Sequence, residues 1–167
     1  MRVGLGYDSH RFDADTPCIL GGVSIPDHPG LKGHSDGDAV CHALIDALLG
    51  AAGLGDVGSH FPPTDDTWKG ADSMELLRRA VEILERDNYQ VVNVDVTVIC
   101  QTPKIGPLSG AMRERLGEVL RIGPGHVSVK GKTNEGLGWI GAGEGLAVHA
   151  VALVDRVREG DAPAPGR

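Results

Sequence analysis

The clearest pattern in the chain is the alternation over 91–99, Val-Val-Asn-Val-Asp-Val-Thr-Val-Ile. Apolar and polar residues at period two predict a strand with Val92, Val94, Val96 and Val98 on one side and Asn93, Asp95 and Thr97 on the other. The nearly continuous apolar run 146–154 predicts a closing strand. Near the start, 3–7 (Val-Gly-Leu-Gly-Tyr) predicts a buried strand that runs directly into Asp8-Ser9-His10. Residues 18–25 read as two short strands joined by a Gly21-Gly22 turn, and 126–130 as one more strand.

Elsewhere the apolar period lengthens to that of a helix. Over 38–50, Ala39, Ala43, Leu44, Ala47 and Leu48 share a face, with cap chemistry ahead at Ser35, Asp36 and Asp38 and helix-ending glycines at Gly50 and Gly53. Asp72 and Glu75 suggest a capping box for a helix to about Asp87, whose inner face is Leu76, Leu77, Ala80, Val81 and Leu84. Past the Pro103–Pro107 break, Ser109 is expected to cap a third helix ending near Arg121. Segments 27–38, 53–71 and the glycine-rich 131–145 read as loops, and the long, aperiodic 53–71 is the kind that carries function.

Strands and helices thus alternate. The expected fold is α/β (an α+β sandwich), a mixed sheet with helices on one face. Its other face also carries apolar side chains, which suggests burial against another subunit. One catalytic domain is expected over 1–157 and a disordered tail over 158–167, where Asp161-Ala-Pro-Ala-Pro-Gly-Arg cannot build a core.

Composition narrows the function. At 167 residues the chain suits one domain. No apolar run approaches the ~20 residues of a membrane span, and Met-Arg-Val-Gly-Leu enters a strand directly, so no leader and a cytoplasmic location are expected. Cys18, Cys41 and Cys100 form no CxxC pair, which suits free thiols in a reducing compartment. The net charge of −7 argues against nucleic acid as a partner. A phosphate-rich substrate would then have to be held by metals, backbone amides and a few local cations.

Candidate chemistry begins at Asp8 and His10. Residues i and i+2 of a strand project to one side, so both can grip one ion. His42, early in its helix, completes a carboxylate-plus-two-imidazole set that leaves a coordination position open on zinc. Asp46, one turn on, could orient the His42 ring or be a solvated or capping carboxylate. Gly136-Leu-Gly-Trp-Ile-Gly141 matches G-x-G-x-x-G, but it precedes an apolar strand instead of opening a helix, so a dinucleotide site is rejected. His28, His60, His126 and His149 read as ordinary surface or core histidines.

Gly6-Tyr-Asp-Ser-His-Arg-Phe12, His34-Ser-Asp-Gly-Asp38 with His42, and Leu54-Gly-Asp-Val-Gly-Ser-His-Phe-Pro62 resemble the motifs of the 2-C-methyl-D-erythritol 2,4-cyclodiphosphate synthases. Lys69-Gly-Ala-Asp-Ser73, Asn93-Val-Asp-Val-Thr97, Gln101-Thr-Pro-Lys104 and Gly143-Glu-Gly145 extend the resemblance, in order, from Met1 to about residue 155.

The resemblance implies that 4-diphosphocytidyl-2-C-methyl-D-erythritol 2-phosphate is cyclised with release of CMP. It implies zinc, or another divalent transition metal, on Asp8, His10 and His42, and magnesium or manganese on Glu135 with the substrate diphosphate. His34 and Thr133 would stabilise charge on the reacting phosphates. Ser35, Asp56, Gly58, Phe61, Thr64 and Asp65 would hold the sugar-alcohol side. Cys100, Gln101, Thr102, Pro103, Lys104, Ile105 and Gly106 would hold the cytidine side, with Lys132, Asn134 and Trp139 nearby. It also implies a homotrimer, with 100–106 and 132–135 reaching the metal ligands of a neighbouring chain. Three departures stand out: Pro63 where relatives often carry Asp, Lys132 where many carry Thr, and Ala142 where they often carry Arg.

Overall fold

The computed structural model describes residues 1–157, so the expected tail at 158–167 lies outside the described residues. A five-stranded mixed sheet runs in the order β2-β1-β5-β3-β4. The strands are β1 (Arg2–Leu20), β2 (Val23–Leu31), β3 (Tyr89–Ile99), β4 (Val127–Lys132) and β5 (Gly145–Arg156). β3 and β4 are parallel and the other pairs antiparallel. Helices α1 (Ala39–Ala52), α3 (Ser73–Arg86) and α4 (Ser109–Val119) bury their apolar residues with those of the sheet in a single core. The short α2 (Val57–His60) and α5 (Gly138–Gly141) lie in the loops.

The first strand sets the architecture. Its alternate residues Gly4 and Gly6 face α1. A Cβ on Gly4 would fall 2.0 Å from the Ala47 carbonyl oxygen, and one on Gly6 would fall 1.8 Å from that of Ala43. The helix therefore lies directly on the strand backbone, which only glycine permits. Asp8 and His10 continue the same side of the strand, so the first turn of α1 comes within reach of them. Val3, Leu5 and Tyr7 project the opposite way and are 68%, 67% and 50% exposed. The strand read as buried is thus buried through its glycines, while its large apolar residues face outward.

Asp38 is the N-cap of α1, accepting the amides of Val40 and Cys41. Its carboxylate also accepts the amides of Gly21 and Gly22 at 2.9 and 2.8 Å, which pins the β1–β2 turn to the helix start. Gly53 closes α1 with φ of 77°, as the sequence suggested.

Several local expectations are corrected. A bulge between Val91 and Asn93 shifts the register, so Val91, Val94, Val96 and Val98 are buried and Val92 is not in that row. The 18–20 strand is the end of the long β1, and β2 extends through half of the expected 27–38 loop. The 53–71 segment contains α2 and a 3₁₀ turn, Asp66–Trp68, capped by Asp56 and Asp65. Asp72 caps α3, but the Glu75 side chain pairs with Arg78 and Arg79 instead of closing a box. Ser109 lies in the first turn of α4 and donates to the Gly106 carbonyl, so it does not cap α4.

Candidate active site

Strand β1 delivers Asp8 and His10, and α1 delivers His42 from its first turn. Ligand atoms of the three lie within 4.8 Å of one another. Asp8 Oδ2 is 2.9 Å from His10 Nε2 and 3.0 Å from His42 Nδ1. Burial alone would raise the Asp8 carboxyl, but its pairing with His10 and His42 outweighs it and holds the group well below the usual carboxylate range. His10 is raised in turn, chiefly by the Asp8 carboxylate 2.9 Å from its Nε2.

The donor set fits a metal ion. His10 Nδ1 lies 2.7 Å from the Lys32 carbonyl oxygen, which can only accept, so Nδ1 carries the hydrogen. In the neutral ring Nε2 is then a bare lone pair. It is buried and close to Asp8, yet it is not in hydrogen-bonding geometry with it. One nitrogen from each of two imidazoles thus converges on a carboxylate, a donor set that suits a divalent cation.

Beside these ligands is a cavity of about 280 Å³ lined by His34, Ser35, Asp46, Val57, Gly58, Phe61, Pro63 and Trp68, among others. The sequence-expected His34, Ser35, Gly58 and Phe61 are therefore brought to the metal ligands. Asp56 caps α2, with its carboxylate held below its usual range by the Ser59 hydroxyl and amide. Thr64 and Asp65 fall outside the lining, and Asp65 caps the 3₁₀ turn. Asp46 accepts the Val57 amide, so it is a capping carboxylate and does not orient His42.

A second cavity, of about 350 Å³, is formed by the end of β3, the following loop and the end of β4. Cys100, Gln101, Pro103, Lys104, Ile105, Gly106, Lys132 and Thr133 line it. Thr102 turns aside and pairs with His28 Nε2 at 3.0 Å, a role that the sequence did not suggest for His28. Glu135 accepts the Thr133 hydroxyl at 2.5 Å, while Asn134 closes a turn onto the Leu137 carbonyl. Trp139 lines a third hollow, with Ser9, His10, Arg11 and Glu144. Within one chain, then, the expected residues fall into separate groups, with the metal ligands in one and the 100–106 and 132–133 segments in another.

Sequence reasoning also missed Ser73 and Asp36. Ser73 Oγ lies 3.0 Å from His42 Nε2. Both stood in matched motifs, Asp36 within His34–Asp38 and Ser73 at the end of Lys69–Ser73, where helix-start chemistry explained them equally well.

A family model described as the YgbB family matches residues 1–155. The 2-C-methyl-D-erythritol 2,4-cyclodiphosphate synthase of Symbiobacterium thermophilum is 56% identical over 154 residues, 92% of this chain and 98% of that protein. The solved bifunctional IspDF from Campylobacter jejuni is similar with a TM-score of 0.90 and 40% identity; the match covers 93% of this chain and 42% of that one. A 2C-methyl-D-erythritol-2,4-cyclodiphosphate synthase solved in a CDP-bound form gives a TM-score of 0.84 at 39% identity, over 92% of this chain and all of that one.

Proposed function

The chain belongs to the YgbB family, and on that premise we propose how its site works. It converts 4-diphosphocytidyl-2-C-methyl-D-erythritol 2-phosphate to 2-C-methyl-D-erythritol 2,4-cyclodiphosphate in the non-mevalonate isoprenoid pathway, as a CMP-releasing phosphorus–oxygen lyase. The observation that carries this reading at the level of the site is the convergence of Asp8, His10 and His42 beside the 56–63 cavity.

An oxygen of the 2-phosphate attacks the β-phosphorus of the diphosphate. The bond from that phosphorus to the cytidylate oxygen breaks, its electron pair leaves with CMP, and water is not consumed. Asp8, His10 and His42 would hold zinc or another divalent transition metal, which when bound supplies Lewis-acid charge to a phosphate oxygen. Glu135 would hold magnesium or manganese with the diphosphate. A lone exposed carboxylate suits such an ion, which keeps several waters and shares its ligands with phosphates. His34 lies in the metal-side cavity and donates to the phosphoryl oxygens there. Thr133 does the same from the second cavity, where Lys104 and Lys132 add positive charge and the backbone of 100–106 reads the cytosine edge. Ser35, Gly58 and Phe61, which line the metal-side cavity, would bound the erythritol side together with Asp56, Thr64 and Asp65 of the same loop, and Asn134 and Trp139 would border the join. Catalysis is then largely positioning and charge neutralisation.

The separation of the two cavities in one chain supports assembly of the site between subunits of a homotrimer, with the outward Val3, Leu5 and Tyr7 face as a contact surface. No helix of the described residues is long and apolar enough to cross a membrane, and we place the enzyme in the cytoplasm.

The decisive experiment incubates the purified protein with the cytidine diphosphate substrate in ¹⁸O-labelled water. CMP and an unlabelled cyclic diphosphate are expected. Labelled, ring-opened phosphate would instead indicate a hydrolase.

A further inference from the structure

Around His42, on the side away from Asp8, is a chain of polar contacts that ends inside the protein. Ser73, the first residue of α3, is fully buried. Its hydroxyl contacts Asp36 Oδ1, and its amide donates to Asp36 Oδ2 at 3.1 Å. The Asp38 amide also donates to Asp36 Oδ1, at 3.1 Å, and the Asp36 amide donates to the Ala71 carbonyl. Asp36 is therefore clamped between the loop ahead of α1 and the start of α3.

A carboxylate only accepts. The Ser73 hydrogen is accordingly committed to Asp36, and the Ser73 oxygen is left as an acceptor. Two groups face that oxygen: Ser35 Oγ at 3.2 Å and His42 Nε2 at 3.0 Å. With the Ser73 hydrogen committed to Asp36, an Nε2–H on His42 is the arrangement that completes a hydrogen bond to the Ser73 oxygen. With Nε2 so protonated, Nδ1, which lies 3.0 Å from Asp8 Oδ2, is the ring atom left to ligate a cation. His10 is arranged in the mirror sense, with the Lys32 carbonyl taking its Nδ1 hydrogen and freeing Nε2.

We propose that Ser73, seated by Asp36, is a positioning residue that fixes the Nε2–H tautomer of His42 and so presents its Nδ1 lone pair to the metal. This rests on the metal site read above. Ser35 gives the proposal its sign. Its oxygen is also 3.0 Å from His42 Nε2, and with Ser73 present its hydrogen can be taken up by the Ser73 oxygen. Without Ser73, the Ser35 hydroxyl is free to donate to Nε2. That favours the Nδ1–H tautomer, in which the ligating atom is blocked.

The test uses zinc titration against a competing chelator, and ¹⁵N spectra of the histidine rings, in the wild type, Ser73→Ala and Ser73→Thr. Zinc-loaded wild type is expected to show His42 protonated at Nε2 and bound through Nδ1. Ser73→Ala is expected to bind zinc about 10–100-fold more weakly, the usual effect of losing a partner behind a ligating histidine, with the metal-free neutral ring shifted towards Nδ1–H. Ser73→Thr, which restores a hydroxyl, is expected to return both properties towards wild type. Coordination of wild-type His42 through Nε2 would overturn the proposal, and needs no variant to be seen. So would equal zinc affinity in wild type and Ser73→Ala. Failure of the wild type to bind zinc at all would instead remove the metal site itself.

Discussion

Asp46 Oδ1 accepts the backbone amide of Val57 at 2.8 Å, so the carboxylate one turn beyond His42 serves the next helix and not the imidazole. The first amides of a helix have no partner within it, and α2 has only four residues to hold itself in place. Desolvation raises the Asp46 carboxyl, partly offset by the Val57 amide. Asp46→Ala leaves a half-buried amide unpaired, at a cost of about 1–3 kcal/mol. Because Gly58 and Phe61 border the cavity beside the metal ligands, the expected result is faster hydrogen exchange at the amides of 57–60 and a raised KM. Asp46→Asn keeps an acceptor oxygen and is expected to do less. Unchanged exchange at Val57 in Asp46→Ala would show that the loop is held elsewhere.

The close approach of α1 to β1 makes a sharper claim about packing. Gly6→Ala drives a methyl group into the Ala43 carbonyl, at 1.8 Å, where only backbone movement can relieve it. The cost is expected to reach or exceed the upper end of the ~1–3 kcal/mol seen for overpacking. Gly110, in the first turns of α4, has open space around its Cβ position. Gly110→Ala is therefore expected to be neutral or stabilising by about 0.5–1 kcal/mol. Denaturant melts of the two variants read the difference directly.

These two positions show what the sequence could carry. The helix with His42 was legible because its caps and its apolar face agree with each other. The i, i+2 spacing of Asp8 and His10 was legible because strand geometry alone places them together. The bulge at Val92 was not, since period-two alternation carries no mark of one inserted residue. Nor was the outward face of Val3 and Leu5, because glycine at alternate positions inverts the usual sense of which side of a strand is buried. Ser73 was hidden for a third reason. A serine at a helix start is common for local reasons, and only the fold brings it to an imidazole 31 residues away in sequence.

The thiols give a prediction with a definite sign. Cys18, Cys41 and Cys100 are free and buried. Burial pushes Cys18 and Cys100 up to about 11, and Cys41 well above its ordinary value. A thiol raised in this way is almost wholly protonated at pH 8, and the thiolate is the reactive form. The native protein is expected to react slowly with a chromogenic disulfide reagent at pH 8, and all three thiols to react promptly in denaturant. Fast reaction of any of the three in the native state would contradict this burial.

Glu135 tests the second cation. Glu135→Gln keeps an acceptor for the Thr133 hydroxyl, so the loop has little reason to rearrange, but a neutral amide is a poor ligand for a hard cation. Most activity is expected to be lost, along with the response to added magnesium or manganese, while zinc binding at Asp8, His10 and His42 is unaffected. An unchanged magnesium titration would place that ion on other residues.

The outward face of β1 and β5 carries the proposal about assembly. Leu5 pairs with Val151 across the two strands and Tyr7 with His149. Val3, Leu5, Tyr7 and Val151 are 68%, 67%, 50% and 40% exposed in the single chain. Large, contiguous apolar exposure of this kind marks an interaction surface, and each such side chain gains about 1.5–3 kcal/mol when it is fully buried. Leu5 points away from α1, so Leu5→Asp touches no core contact and the chain is expected to fold. At the interface between subunits, however, it would place unpaired charges in an apolar setting. Sedimentation is expected to shift from trimer to monomer. CMP release should fall with it, because the metal-side cavity and the 100–106 cavity would no longer meet. Zinc binding is expected to persist, since Asp8, His10 and His42 belong to one chain. A Leu5→Asp monomer with full activity would show that one chain can complete the site alone, and would remove the trimer from the mechanism.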